Sequence, residues 1–120
     1  MQVDANLTEQ SGRLGVAALA ARKLPFDAIF AASDLIAIGA MRGLEQMGLA
    51  VPDHVAVVGF DDISAASLTR PPLTTVQQDF ALAGEALVAA LIATLRGESA
   101  PSVALPTRLI IRQSCGAAAG

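Results

Sequence analysis

An α/β fold, with a parallel sheet covered by helices, is what this sequence of 120 residues predicts. Three observations carry it. Helical and extended patterns alternate along the chain, and such alternation builds parallel βαβ units with helices on the sheet. The extended pieces are near-continuous apolar runs, as in Val55, Ala56, Val57 and Val58, which suits strands covered on both faces. The composition agrees: 53% of residues are hydrophobic and the mean hydropathy is +0.55.

The elements follow in order. "TEQSGRLGVAALAARKLP" predicts a helix from about Glu9 to Arg22, capped by Thr8 and stopped by Pro25. "FDAIFAAS" gives a short strand, roughly Ala28 to Ala31. Ser33 caps the next helix, with Asp34 in its first turn, where the helix dipole favours negative charge. That helix puts Ile36, Ala40, Gly43, Leu44 and Met47 on one side and a mixed set (Leu35, Ile38, Arg42, Glu45) on the other, ending at Gly48. The second, partly apolar face fits either a protein partner or a helix buried from two sides. A strand from Val55 to Gly59, a loop with one helical turn closed by Pro71 and Pro72, and a brief extended "TTV" come next. From Asp79 to Arg96 runs the clearest helix, striped by Phe80, Ala83, Leu87, Leu91 and Leu95 and ended by Gly97. A last strand is expected near Arg108 to Arg112, then a loose "CGAAAG" tail.

Bulk properties exclude several functions. The longest uninterrupted apolar run, Ala86 to Ala93, is far short of the roughly 20 residues a membrane span needs, so no membrane partner is expected. Net charge is −3 and no basic cluster occurs, which makes this chain itself a poor nucleic-acid binder. The single Cys115 has no companion for a disulfide or a metal site. No signal-peptide pattern opens the chain, which favours the cytoplasm.

The chemistry-bearing stretch is "GFDDIS", where Asp61 and Asp62 end the second strand. In open α/β sheets the working residues lie beyond the carboxyl ends of strands, and Ser33, Asp34, Asp61 and Asp62 all fall there. Catalytic acids, metal ligands, a phosphate acceptor, a ligand hook or a turn cap at Ile63–Ser64 are the readings open to the pair. Adjacent strand-end residues point different ways, so the two acids do not converge on one atom. A magnesium site would draw on Asp34 and Asp61, yet the only lysine, Lys23, precedes the first strand at the wrong end for phosphoryl transfer. No P-loop, GxGxxG, nucleophile triad or zinc spacing is present, and the lone His54 sits in a turn at the opposite edge. A carboxylate that accepts hydroxyl hydrogens from a small ligand fits better, since charge-assisted hydrogen bonds are strong and geometrically selective. No enzyme activity, cofactor or metal is expected.

"DAIFAASDLIAIGAMRGLEQMGLAVPDHVAVVGFDDISAASLTRPPLTTVQQDF" together with "LPTRLIIRQS" closely resembles the C-terminal part of the lac-repressor (LacI/GalR) family of transcription regulators, from about Asn6 to Ser114. The resemblance implies a partial type I periplasmic-binding-protein-like fold, mainly the C-terminal lobe. Residues 1–76 would belong to that lobe, 77–105 to a crossover helix of the other lobe, 106–114 to the returning strand and 115–120 to the tail. It further implies that the DNA-binding headpiece and most of the first lobe lie outside this chain.

Residue by residue, the resemblance makes Asp61 an effector contact and puts Phe80 at the pocket edge. Ser33 stands where the family usually has Asn, and Leu7 where many members present an aromatic ring. Those two departures point away from a standard hexose toward a smaller or less polar effector. Ile38, Arg42, Ala65, Leu68 and Thr69 occupy positions resembling the family's homodimer interface, where a two-fold contact needs a self-complementary patch. The expected function is therefore effector sensing and dimerisation within a transcription regulator, with operator DNA reached only through the headpiece. The alternative with the same fold is a sugar-binding receptor of a transport system.

Overall fold

The computed structural model describes residues 1–117. Its elements are α1 (Glu9–Ala21), β1 (Ala28–Phe30), α2 (Asp34–Gln46), β2 (Ala56–Asp61), a 3-10 turn (Ser64–Leu68), β3 (Thr74–Gln78), α3 (Phe80–Leu95), β4 (Thr107–Ile110) and a second 3-10 turn (Gln113–Cys115). The strands form one sheet in the order β1-β2-β3-β4, with β1 to β3 parallel. The predicted α/β class with a parallel sheet and flanking helices is the observed one. The described residues divide into two compact units: residues 1–77 with 109–117, and residues 78–108.

The first unit holds the core. Val16, Ile38, Met41, Leu44, Val55, Val57 and Leu73 are buried in one cluster. Thr8 caps α1 by accepting from the Ser11 amide at 3.2 Å. Helix α2 is buried from two sides, against α1 and β2, which is why Ile38 and Met41 are buried although the expected core face ran through Met47, which is 42% exposed. Helices α1 and α2 meet backbone to backbone. A Cβ on Gly39 would overlap the Glu9 carbonyl, and one on Gly12 would overlap that of Ile36.

Three boundaries differ from expectation, each for a hydrogen-bonding reason. The "TTV" piece is an interior strand, because Thr75 and Val76 pair with Gly59 and Phe60. Strand β2 reaches Asp61, which pairs with Gln77. Strand β4 ends at Ile110, since the Arg112 amide turns to the Thr74 hydroxyl at 2.8 Å. Ser114 then locks the returning chain, donating to the Val57 carbonyl at 2.6 Å and accepting from the Thr74 amide at 2.8 Å. The expected tail begins inside the second 3-10 turn, at Cys115, and its last three residues (118–120) lie outside the described ones.

The second unit is α3 with its flanks. Asp79 caps the helix by accepting from the Leu82 amide at 2.9 Å. None of its residues is buried, and Leu87 and Leu95 are 71% and 78% exposed. Among the described residues, no helix is long and apolar enough to cross a membrane.

Candidate functional site

The carboxyl edge of the sheet gathers the polar strand-end residues. Phe30 of β1 pairs with Val58 of β2, so Ser33 and Asp61 each lie three residues beyond a paired position (33 − 30 and 61 − 58) and share one edge. Ser33 is buried and its hydroxyl accepts from the Ile36 amide at 3.3 Å, closing the first turn of α2.

Asp34 is the centre of the edge. Its side chain is fully buried, Oδ1 accepting from the Thr75 hydroxyl at 2.6 Å and Oδ2 from the Ile63 amide at 2.9 Å. Space for it comes from Gly59, where a Cβ would overlap Oδ1 and stand 3.1 Å from Leu73 Cδ2. The cap reading left open for Asp61 and Asp62 at Ile63–Ser64 is not what is found: the Ser64–Leu68 turn has no side-chain cap, and the Ile63 amide ahead of it is bound by Asp34. Asp62 is held by stronger partners instead: Arg112 Nη2 at 2.7 Å and Gln77 Nε2 at 2.8 Å, a charge-assisted pair that outcompetes a neutral amide. Asp61 ends β2, half-buried, with φ of 112°, and Asp62 follows at 55°. Both lie in left-handed space that non-glycine residues seldom occupy.

Burial raises the Asp34 carboxyl above the ordinary aspartate range. The hydrogen bonds from Thr75 and Ile63 pull it back, and the charges of Asp61 and Asp62 push it up again. A folded-state value above the unfolded one means that the folded chain takes up the proton first as pH falls. Ionised Asp34 therefore opposes folding above the raised midpoint, and this opposition fades as pH drops through that midpoint toward the ordinary value. Asp34→Asn is expected to abolish the effect. In urea unfolding between neutral pH and roughly pH 4, the native chain should gain on the variant by about 1.4 kcal/mol per unit of upward displacement. A gap between the two that ignores pH would contradict this account.

The other expected site residues fall in three places. Leu7 is exposed just before α1, outside the Asp34 network. Phe80 opens α3, in the second unit, and is 60% exposed. Ile38, Arg42, Ala65, Leu68 and Thr69 all line one groove of about 730 Å³ on the first unit. Within it Leu68 is 79% exposed and Ile38 only 5%, so Ile38 belongs mainly to the core. Arg42 forms an ion pair with Glu9 there. Sequence reasoning missed the Asp34–Thr75 and Asp62–Arg112 pairs. The one available signal was Gly59, since a glycine inside a strand marks a close approach of another group.

Comparison with known proteins adds the family. A model of the periplasmic binding protein-like domain matches residues 2–115. The lactose operon repressor of Rhizobium radiobacter is 43% identical over 89 residues, covering 73% of this chain and 79% of that protein. The chain belongs to the lac-repressor (LacI) family. Another LacI-type relative, the HTH-type transcriptional regulator CelR of Thermobifida fusca, is 39% identical over 111 residues, covering 91% of this chain and 33% of its own length. Thus the chain spans about a third of CelR. Among solved LacI-family structures, the lac repressor dimer bound to operator and the anti-inducer ONPF superposes with a TM-score of 0.86. It is 32% identical, with 94% of this chain and 34% of that one covered. A CelR–cellobiose complex gives 0.85 at 36% identity, covering 95% and 37%. The family and fold expected from the motifs are those found.

Proposed function

We propose that this chain is the effector-sensing and dimerising part of a LacI-family transcription regulator. It binds a small sugar-like or nucleoside-like molecule at the carboxyl edge of the sheet, and binding alters how a headpiece outside the chain holds operator DNA. The observation that carries this reading is Asp61 at the end of β2, on the edge it shares with Ser33. A carboxylate there offers acceptor oxygens to hydroxyl groups, and a solved relative is described as a complex with cellobiose. Asp61 is the principal contact; Ser33, Phe80 and Leu7 complete the set, with residues 77–105 belonging to the partner lobe in the intact regulator. The chain carries no catalysis in this reading, because both oxygens of Asp34 are engaged and Asp62 is paired with Arg112. Its working place is the cytoplasm, where operators are. The relatives described above are regulators, which favours this reading over a transport receptor.

The test is ligand-dependent thermal stabilisation across cellobiose, lactose and nucleosides. A ligand at a hundred times its dissociation constant should add about 2.7 kcal/mol. Asp61→Asn is expected to weaken the responding ligand by about 10- to 100-fold, the loss of a hydrogen bond to a charged group. Equal affinity in the variant would remove Asp61 from the site.

A further inference from the structure

Asp34 has a carboxylate that the proposed function leaves unused, and its hydrogen bonds lead to the residue that function needs most. The Ile63 amide donates to its Oδ2 at 2.9 Å. The Asp62 amide donates to the Thr75 hydroxyl at 3.3 Å, and that hydroxyl donates in turn to Asp34 Oδ1 at 2.6 Å. The two amides that directly follow Asp61 are therefore both tied to one buried carboxylate, one directly and one through Thr75. We infer that Asp34 and Thr75 are positioning residues for Asp61: they clamp the turn behind it and so set the direction of its carboxylate toward a polyhydroxylated ligand. This rests on the effector reading of Asp61 given above.

Three further observations support it. Asp61 and Asp62 sit at φ of 112° and 55°, conformations that persist only where surrounding structure over-determines them. Asp34 is itself rigid, fully buried in the first turn of α2 behind the Ser33 cap. The Asp62 carboxylate is drawn to Arg112 and Gln77, so the two consecutive acids have separate duties. A buried acid with acceptor-only oxygens suits this post, since every group aimed at it is a donor. An apolar side chain of similar size would fill the space and leave the Ile63 amide and the Thr75 hydroxyl without that partner.

The experiment combines amide hydrogen exchange with cellobiose titration of the full chain. Thr75→Val keeps the shape and removes the hydroxyl. It is expected to speed exchange at Asp62 and Ile63 by about tenfold and to weaken cellobiose binding by about tenfold, with Thr75→Ser restoring both. Asp34→Asn, which keeps the size, is a second variant if valine prevents folding, and it too should speed exchange at residue 63. Unchanged exchange at both amides would overturn the clamp. Faster exchange with native affinity would overturn the positioning role, leaving a structural turn only. Asp61→Asn that binds cellobiose like the native chain would remove the reading beneath the inference. A weakened Asp61→Asn beside an unaffected Thr75→Val would remove the inference alone.

Discussion

Alanine at Gly39 is expected to destabilise the chain by about 3 kcal/mol or more, lowering the unfolding midpoint by roughly 10 °C. The added methyl would overlap the Glu9 carbonyl oxygen and stand 2.6 Å from its carbon and 2.8 Å from Glu9 Cα. These are backbone atoms of α1, so no side chain can swing aside. The helices must separate instead, and α2 is also packed against β2. Separation would loosen Val16, Ala40 and Leu44, all within 2% of complete burial. Gly84→Ala is the internal control. It lies in α3 with nothing within 4 Å of its would-be Cβ, so alanine there should be neutral or stabilising by about 0.5–1 kcal/mol. Calorimetric scans of both variants read the contrast directly. A Gly39→Ala midpoint within a few degrees of native would mean that the helix pair tolerates separation.

Local chemistry was the legible part of this molecule. Thr8 and Ser33 could be read as caps because a capping side chain meets an amide two or three residues on, and both do so. Strand ends were legible because apolar runs stop at polar residues, which located Asp61 at the sheet edge. What stayed hidden depends on partners far apart in the chain. Asp34 meets Thr75 across 41 residues, and Asp62 meets Arg112 across 50. From sequence, Asp34 is merely an acid in a helix's first turn, where the dipole already accounts for it. Only Gly59, placed in an apolar strand with no turn to make, hinted that something polar pressed on that strand. The mixed face of α2 was ambiguous for a similar reason. Periodicity shows that a face is apolar without showing whether its cover lies within the chain or on a second one, and here Ile38 is buried in the core while Leu68 remains in water.

Leu68 is accordingly the residue on which the proposed dimer turns, and Leu68→Asp should convert the intact regulator from dimer to monomer. The side chain stands at the end of the 3-10 turn Ser64–Leu68, 79% exposed, on a groove shared with Ala65, Thr69 and Arg42. Covering a leucine contributes about 1.5–3 kcal/mol, and a two-fold contact uses each position twice. Removing both leucines therefore forfeits about 3–6 kcal/mol, on the order of 100- to 10,000-fold in the dimerisation constant. A carboxylate left unpaired in the interface adds to that loss. Leu68→Ala separates the two contributions, since it removes area without adding charge. Folding itself should barely change, because the side chain already faces water. Ile38→Asp, 5% exposed, should by contrast unfold the first unit. Sedimentation over a range of concentrations measures the association constant, with circular dichroism confirming that Leu68→Asp is folded. A folded Leu68→Asp variant that sediments as the native dimer would place the two-fold contact elsewhere on the molecule.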